Sequence, residues 1–166
     1  MAAKTDFSAD EWGLLLESAL LAGIAVTAAE PSGLWGMLRE SMATAGAMRA
    51  ARTDTNALIS EVVAELETNE GRARAQDSLK MRFSDSKAPA IKAGAIEGLR
   101  DVAMLLDRRA PQDAPAFKSW LEQIGREAAE ASKEGGFLGF GGVAVSDTEK
   151  ATLAEISSAL GSAPAA

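Results

Sequence analysis

Histidine, cysteine and tyrosine are all missing from this sequence, and each absence removes chemistry. Without cysteine there is no disulfide framework, no thiol nucleophile, no zinc-thiolate site and no iron–sulfur cluster. Without histidine there is no histidine-ligated haem, no zincin motif, no Ser-His-Asp triad and no imidazole acid or base near neutral pH. Any enzyme built on this chain would have to use carboxylates, a Ser-Lys pair or a bound cofactor. Positive charge is also short: 17 basic residues stand against 24 acidic ones, a net charge of −7 that repels a phosphate backbone and anionic lipid. Nucleic acid is therefore not an expected partner. Arg49, Arg52, Arg72, Arg74, Arg108 and Arg109 fall near expected helix ends, where the helix dipole favours cations, and they read as structural.

What is present is globular in proportion. Hydrophobic residues at 47% and charged residues at 25% suit a chain that folds in water, and 166 residues suit one domain. The opening MAAKTDFSADEW has acids where a signal peptide needs a basic start, so the expectation is a cytoplasmic chain without a leader. The apolar run from Trp12 to Ala29 is interrupted by Glu17 and rich in alanine, which predicts a buried helix rather than a membrane span.

Period-two alternation is scarce and alanine, leucine, glutamate and arginine dominate, so the expected fold class is all-α: a single-domain bundle of five to six helices around a central apolar first helix. Residues 1–7 read as an N-terminal arm, 8–160 as the bundle domain and 161–166 as a disordered tail. The first helix opens at Ser8, where SADE is a capping box completed by Glu11. Leucines at 14, 15, 16, 20 and 21 surround it, which places it in the middle. A second helix carries Leu34, Met37, Leu38 and Met42. A third is expected after Thr53 or Asp54, with Leu58, Val62 and Leu66 on its stripe and Gly71 as its stop, followed by a short polar helix over 72–83. A further helix runs from about Ser86 to Arg109 on Ile91, Ala95, Leu99, Val102 and Leu106. Pro111 and Pro115 break the chain before a helix on Phe117, Trp120, Leu121, Ile124, Ala128 and Ala131. The last spans Asp147 to Leu160, capped by Ser146 with Glu149 three residues on.

The most unusual stretch is GGFLGFGGVAV, Gly135 to Val145, in which Phe137, Leu138 and Phe140 sit among glycines that include Gly139 and Gly141. Large apolar residues in a loop either dock onto the bundle or meet a partner, since leaving each in water forfeits up to about 1.5–3 kcal/mol. These five residues are the candidate interaction site. A phosphate cradle is a poor fit, because such loops follow a strand and no Walker lysine follows here. SDSK, Ser84 to Lys87, matches the S-x-x-K of Ser-Lys acyl-transfer enzymes without their other boxes, and reads better as helix capping. Carboxylates cluster at Glu61, Glu65, Glu67 and Glu70 and at Asp6, Asp10 and Glu11. They lack the histidines of a di-iron site and the loop of an EF-hand, and read as solvated faces. Trp12, Trp35 and Trp120 lie on apolar helix faces, as core residues do.

The segments PSGLWGMLRE at 31–40 and EGGFLGFGGVAVSDTEKATLAEI at 134–156 resemble those of a family of uncharacterised bacterial all-helical proteins. The resemblance implies a helical fold and brings no activity, substrate or catalytic residue. Val-Ser-Asp-Thr-Glu opening an apolar helix is also similar to the repeat of TerB-like tellurite-resistance proteins. Those proteins place acids ahead of the box, whereas Gly141 to Val145 supplies none, so no metal site is carried over.

The reading is thus a non-enzymatic interaction or scaffolding module. It is expected to use no cofactor and no metal and to have no integral membrane association. Its partner is another protein or a second copy of itself. The alternative is a carrier of an apolar small molecule or acyl chain in an interhelical pocket.

Overall fold

The computed structural model describes residues 1–28, 49–52, 54–83, 88–134 and 147–161. The described residues form a helical bundle with no strand among them. After a 3-10 turn at Lys4–Asp6, six α-helices follow: α1 Ala9–Thr27, α2 Ala57–Leu66, α3 Asn69–Phe83, α4 Ala88–Arg109, α5 Ala114–Glu134 and α6 Asp147–Leu160. Residues 49–51 are helical as well. The helical elements thus slightly exceed the five or six expected, in part because a three-residue 3-10 turn is too short to leave a periodic pattern. The expected second helix, with Trp35, lies outside the described residues, as do the Ser84–Lys87 motif, the Ser146 cap and residues 162–166 of the tail.

Helix α1 begins as the capping box dictates. The Ser8 hydroxyl accepts from the Glu11 N–H at 3.2 Å, and Glu11 reaches back to accept from the Ser8 N–H at 2.9 Å. Beyond its first turn the helix is buried on nearly every side, and Leu15, Leu16, Leu21 and Ala22 are wholly covered. A helix apolar all round is stable only when neighbours enclose it. Helices α2 to α6 all pack against α1, with α4 and α5 making its broadest contacts.

Helix α2 starts after Asp54, as expected, with Asn56 as its cap: the Asn56 side chain accepts from the N–H groups of Leu58 and Ile59 at 3.1 and 3.2 Å. Asp54 instead accepts from the Asn56 N–H at 2.8 Å, fixing the turn that precedes the cap. Gly71 does not stop a helix. It lies in the first turn of α3, capped by the Thr68 hydroxyl at 2.9 Å, and a Cβ there would sit 2.1 Å from the Glu65 carbonyl oxygen. The glycine is needed for the tight α2–α3 corner.

Helix α4 buries Ile91, Ala95, Leu99, Val102 and Leu106, the stripe read from the sequence. Helix α5 starts at Ala114, so Pro115 sits inside its first turn, where a missing N–H costs nothing, instead of breaking the chain. Its apolar face buries Phe117, Trp120, Leu121 and Ile124, with Phe117 and Trp120 edge to face at 5.1 Å. Helix α6 spans Asp147–Leu160 as expected and ends at Gly161, whose φ of +72° suits only a residue without a side chain.

Candidate functional site

Three polar foci stand out in the described helices. The first is a cleft of about 600 Å³ between the N-terminal arm, α1, α2 and the start of α3, lined by Lys4, Trp12, Glu61, Glu65, Thr68 and Arg74 among others. Its centre is Glu65. The Lys4 ammonium donates to Oε2 at 2.6 Å, the Trp12 indole N–H donates to the same oxygen at 2.8 Å, and the Arg74 guanidinium stands 3.6 Å from Oε1. The Lys4 backbone N–H donates to Glu61 at 2.8 Å, and the Lys4 ammonium lies 5.6 Å from the centre of the Trp12 ring. Burial pushes the Glu65 carboxyl up, but the hydrogen bonds from Lys4 and Trp12 and the charges of Lys4 and Arg74 outweigh it. Glu65 is held below the ordinary glutamate value.

The carboxylates expected to be solvated are therefore unequal. Glu70 is open to water, with Arg74 3.9 Å away, and Glu67 pairs with Arg52 at 2.8 Å. Glu61 and Glu65 anchor the arm. Among the described residues no three carboxylates lie close enough together to hold a metal ion.

The second focus is buried. Glu17 is 1% exposed within the apolar girdle of α1, and α3 supplies its partners. Ser78 donates to Oε2, while Arg82 donates to Oε1 through Nε at 3.1 Å and through a terminal nitrogen at 2.6 Å. Both carboxylate oxygens are thus occupied, which is the condition for keeping a charge in a core. The sequence signalled that a charge sat in the apolar run. It gave no means of finding partners 61 and 65 residues away.

The third is Asp113, 2% exposed at the turn before α5. It accepts from the Ala2 N–H at 2.7 Å and from the Asn56 side chain at 3.0 Å, tying the arm and the α2 cap to the α4–α5 corner. Nearby, Arg109 donates to Glu11 at 3.0 Å and Arg108 stands 3.6 Å from it. Bonding from the Ser8 backbone N–H and from Arg109 holds the Glu11 carboxyl below its ordinary value. These two arginines are structural, as their place at the end of α4 suggested.

A smaller cleft of about 490 Å³ runs along α5, lined by Ala50, Ala51, Asp54, Ala116, Ser119 and Trp120 with Gln123 and Glu127. Trp12 and Trp120 are both buried, at 1% and 7% exposure, as core residues are. The indole N–H of Trp120 is covered and has no hydrogen-bond partner among the described residues.

The five residues singled out from the sequence, Phe137, Leu138, Gly139, Phe140 and Gly141, lie outside the described residues. The helices on either side of that stretch are well anchored: Ile124 and Ile156 are fully buried, and a Cβ at Gly125 would meet the Ile156 side chain at 3.2 Å. No described helix is long and apolar enough to cross a membrane. Comparison with family models, with curated proteins and with solved structures finds no match to this chain.

Proposed function

We propose that this chain is a non-enzymatic helical interaction or scaffolding module that associates with itself through Phe137, Leu138 and Phe140. The supporting observation is the internal pairing of the polar foci: Glu65, Glu17 and Asp113 each accept from donors of their own chain. Their geometry is that of joints between helices. Phe137, Leu138 and Phe140 lie in the sequence between two anchored helices, α5 and α6. Light scattering of Phe137→Ser/Phe140→Ser beside the wild type tests this. A fall to monomer mass with helix content unchanged supports the module, and an unchanged mass overturns it.

One observation favours a second reading, a carrier of an apolar small molecule. The cleft along α5 has the size of small-ligand sites, about 300–1,000 Å³, and three alanines and Trp120 line it beside Asp54, Ser119, Gln123 and Glu127. Native mass spectrometry of freshly purified protein separates the two: a co-purifying mass of lipid size favours the carrier, and a bare oligomer favours the module.

A further inference from the structure

Helix α3 is fastened differently from its neighbours. Its inward face is Gly71, Ala75, Ser78, Leu79, Arg82 and Phe83, one stripe at helical spacing, yet only Gly71 and Ala75 are buried. Where α4 and α5 present fully buried leucine, isoleucine and phenylalanine to the core, α3 presents two small residues, a hydroxyl and a guanidinium. Of its three large apolar residues, Leu79 and Phe83 are only partly covered and Met81 is exposed. Beside the packing of Leu79 and Phe83, the Glu17 carboxylate ties its second half to α1.

The neighbouring helix is shaped to receive this polar seam. A Cβ at Gly98 of α4 would come within 3.2 Å of the Arg82 guanidinium carbon, and one at Gly94 within 2.9 Å of the Phe83 ring. Two glycines one turn apart thus form the seat on which the end of α3 rests. The other end turns on the Gly71 corner, against the Glu65 carbonyl.

We infer that α3 is a detachable strap, latched over α1 by Glu17, Ser78 and Arg82, which opens as one unit while α1, α4 and α5 stay assembled. A buried ion pair fixes where a helix sits more than how tightly, because the cost of desolvating the charges offsets much of their attraction. An apolar seam would weld α3 to the core. This latch holds register and releases, because on opening Glu17, Ser78 and Arg82 all regain water. Segments with few buried apolar contacts form the low-stability units of native proteins.

Native-state hydrogen exchange on the full chain tests the strap. Amides over residues 69–83 are expected to share one opening free energy lower than that of α4 and α5, with exchange at least about tenfold faster. Glu17→Gln should quicken exchange along all of α3 by a further tenfold or so and leave α5 unchanged. Gly71→Ala, at the opposite end, should quicken the same set of amides. Two results would each overturn the strap: α3 exchanging in step with α4 and α5 in every variant, or each substitution loosening only its own end, which is fraying. Should Glu17→Gln fail to fold, Arg82→Gln, whose side chain is 25% exposed, provides the same comparison.

Discussion

Asp113 and Ala2, 111 residues apart in the chain, are joined by a hydrogen bond of 2.7 Å from the Ala2 N–H to the buried carboxylate. The same carboxylate holds the Asn56 side chain at 3.0 Å, so one residue couples the arm, the α2 cap and the α4–α5 corner. Asp113→Ala leaves both donors unpaired and is expected to cost about 2–3 kcal/mol in urea denaturation. A loss below about 0.5 kcal/mol would show that the Asp113 bonds to Ala2 and Asn56 contribute nothing to the fold.

The capping box at Ser8 is a local device, and its contribution should be local in size. Ser8→Ala removes the acceptor for the Glu11 N–H and is expected to cost about 1 kcal/mol. Ser8→Gly should cost a few tenths only. Equal losses in the two variants would contradict the cap.

Acid should weaken the protein in a way traceable to named residues. Glu65 and Glu11 both have folded-state pKa values below their unfolded ones. Their contribution is fully present above the unfolded glutamate value of roughly 4.3 and is lost as pH falls through the folded values. The urea midpoint is expected to hold between about pH 5 and 7 and to fall below about pH 4.5. Glu65→Gln should lower the neutral-pH midpoint and flatten the acid slope; an unaltered slope would assign the acid sensitivity elsewhere.

Glycines in the helices separate into needed and dispensable ones. A Cβ at Gly13 meets nothing within 4 Å, so Gly13→Ala in the second turn of α1 should stabilise by about 0.5–1 kcal/mol. At Gly98 the added carbon would lie 2.6 Å from a terminal carbon of the fully buried Leu21, and Gly98→Ala should destabilise by about 1–2 kcal/mol despite its better helix propensity. Thermal melts of the pair, moving in opposite directions, check both.

Whatever depended on neighbours in sequence was legible. The stripe of α4, the face of α5, the extent of α6 and the Ser8–Glu11 box follow from period and capping chemistry, and the structure has them where the pattern puts them. Errors arose where a residue serves a distant segment. Gly71 read as a helix stop because glycine is a poor helix former, but the closeness of the Glu65 carbonyl demands it inside a helix. Glu61 and Glu65 read as part of a solvated face because their donors come from the arm, α1 and α3, which no local pattern relates to them, while Glu70 is solvated as expected. Phe137, Leu138 and Phe140 stand out in the sequence by being apolar among glycines, a compositional signal that carries no geometry.

Order of synthesis gives the central helix a further meaning. Helix α1 leaves the ribosome before any of the helices that cover it in the finished bundle, and α6 comes last. At about 5–20 residues per second an apolar cylinder therefore waits on the order of ten seconds for its final neighbour. In that interval Leu15, Leu16 and Leu21 are as available to a chaperone or to another nascent chain as to α4 and α5. The architecture that makes the mature core continuous thus leaves its first helix without its full cover until the last helix is made.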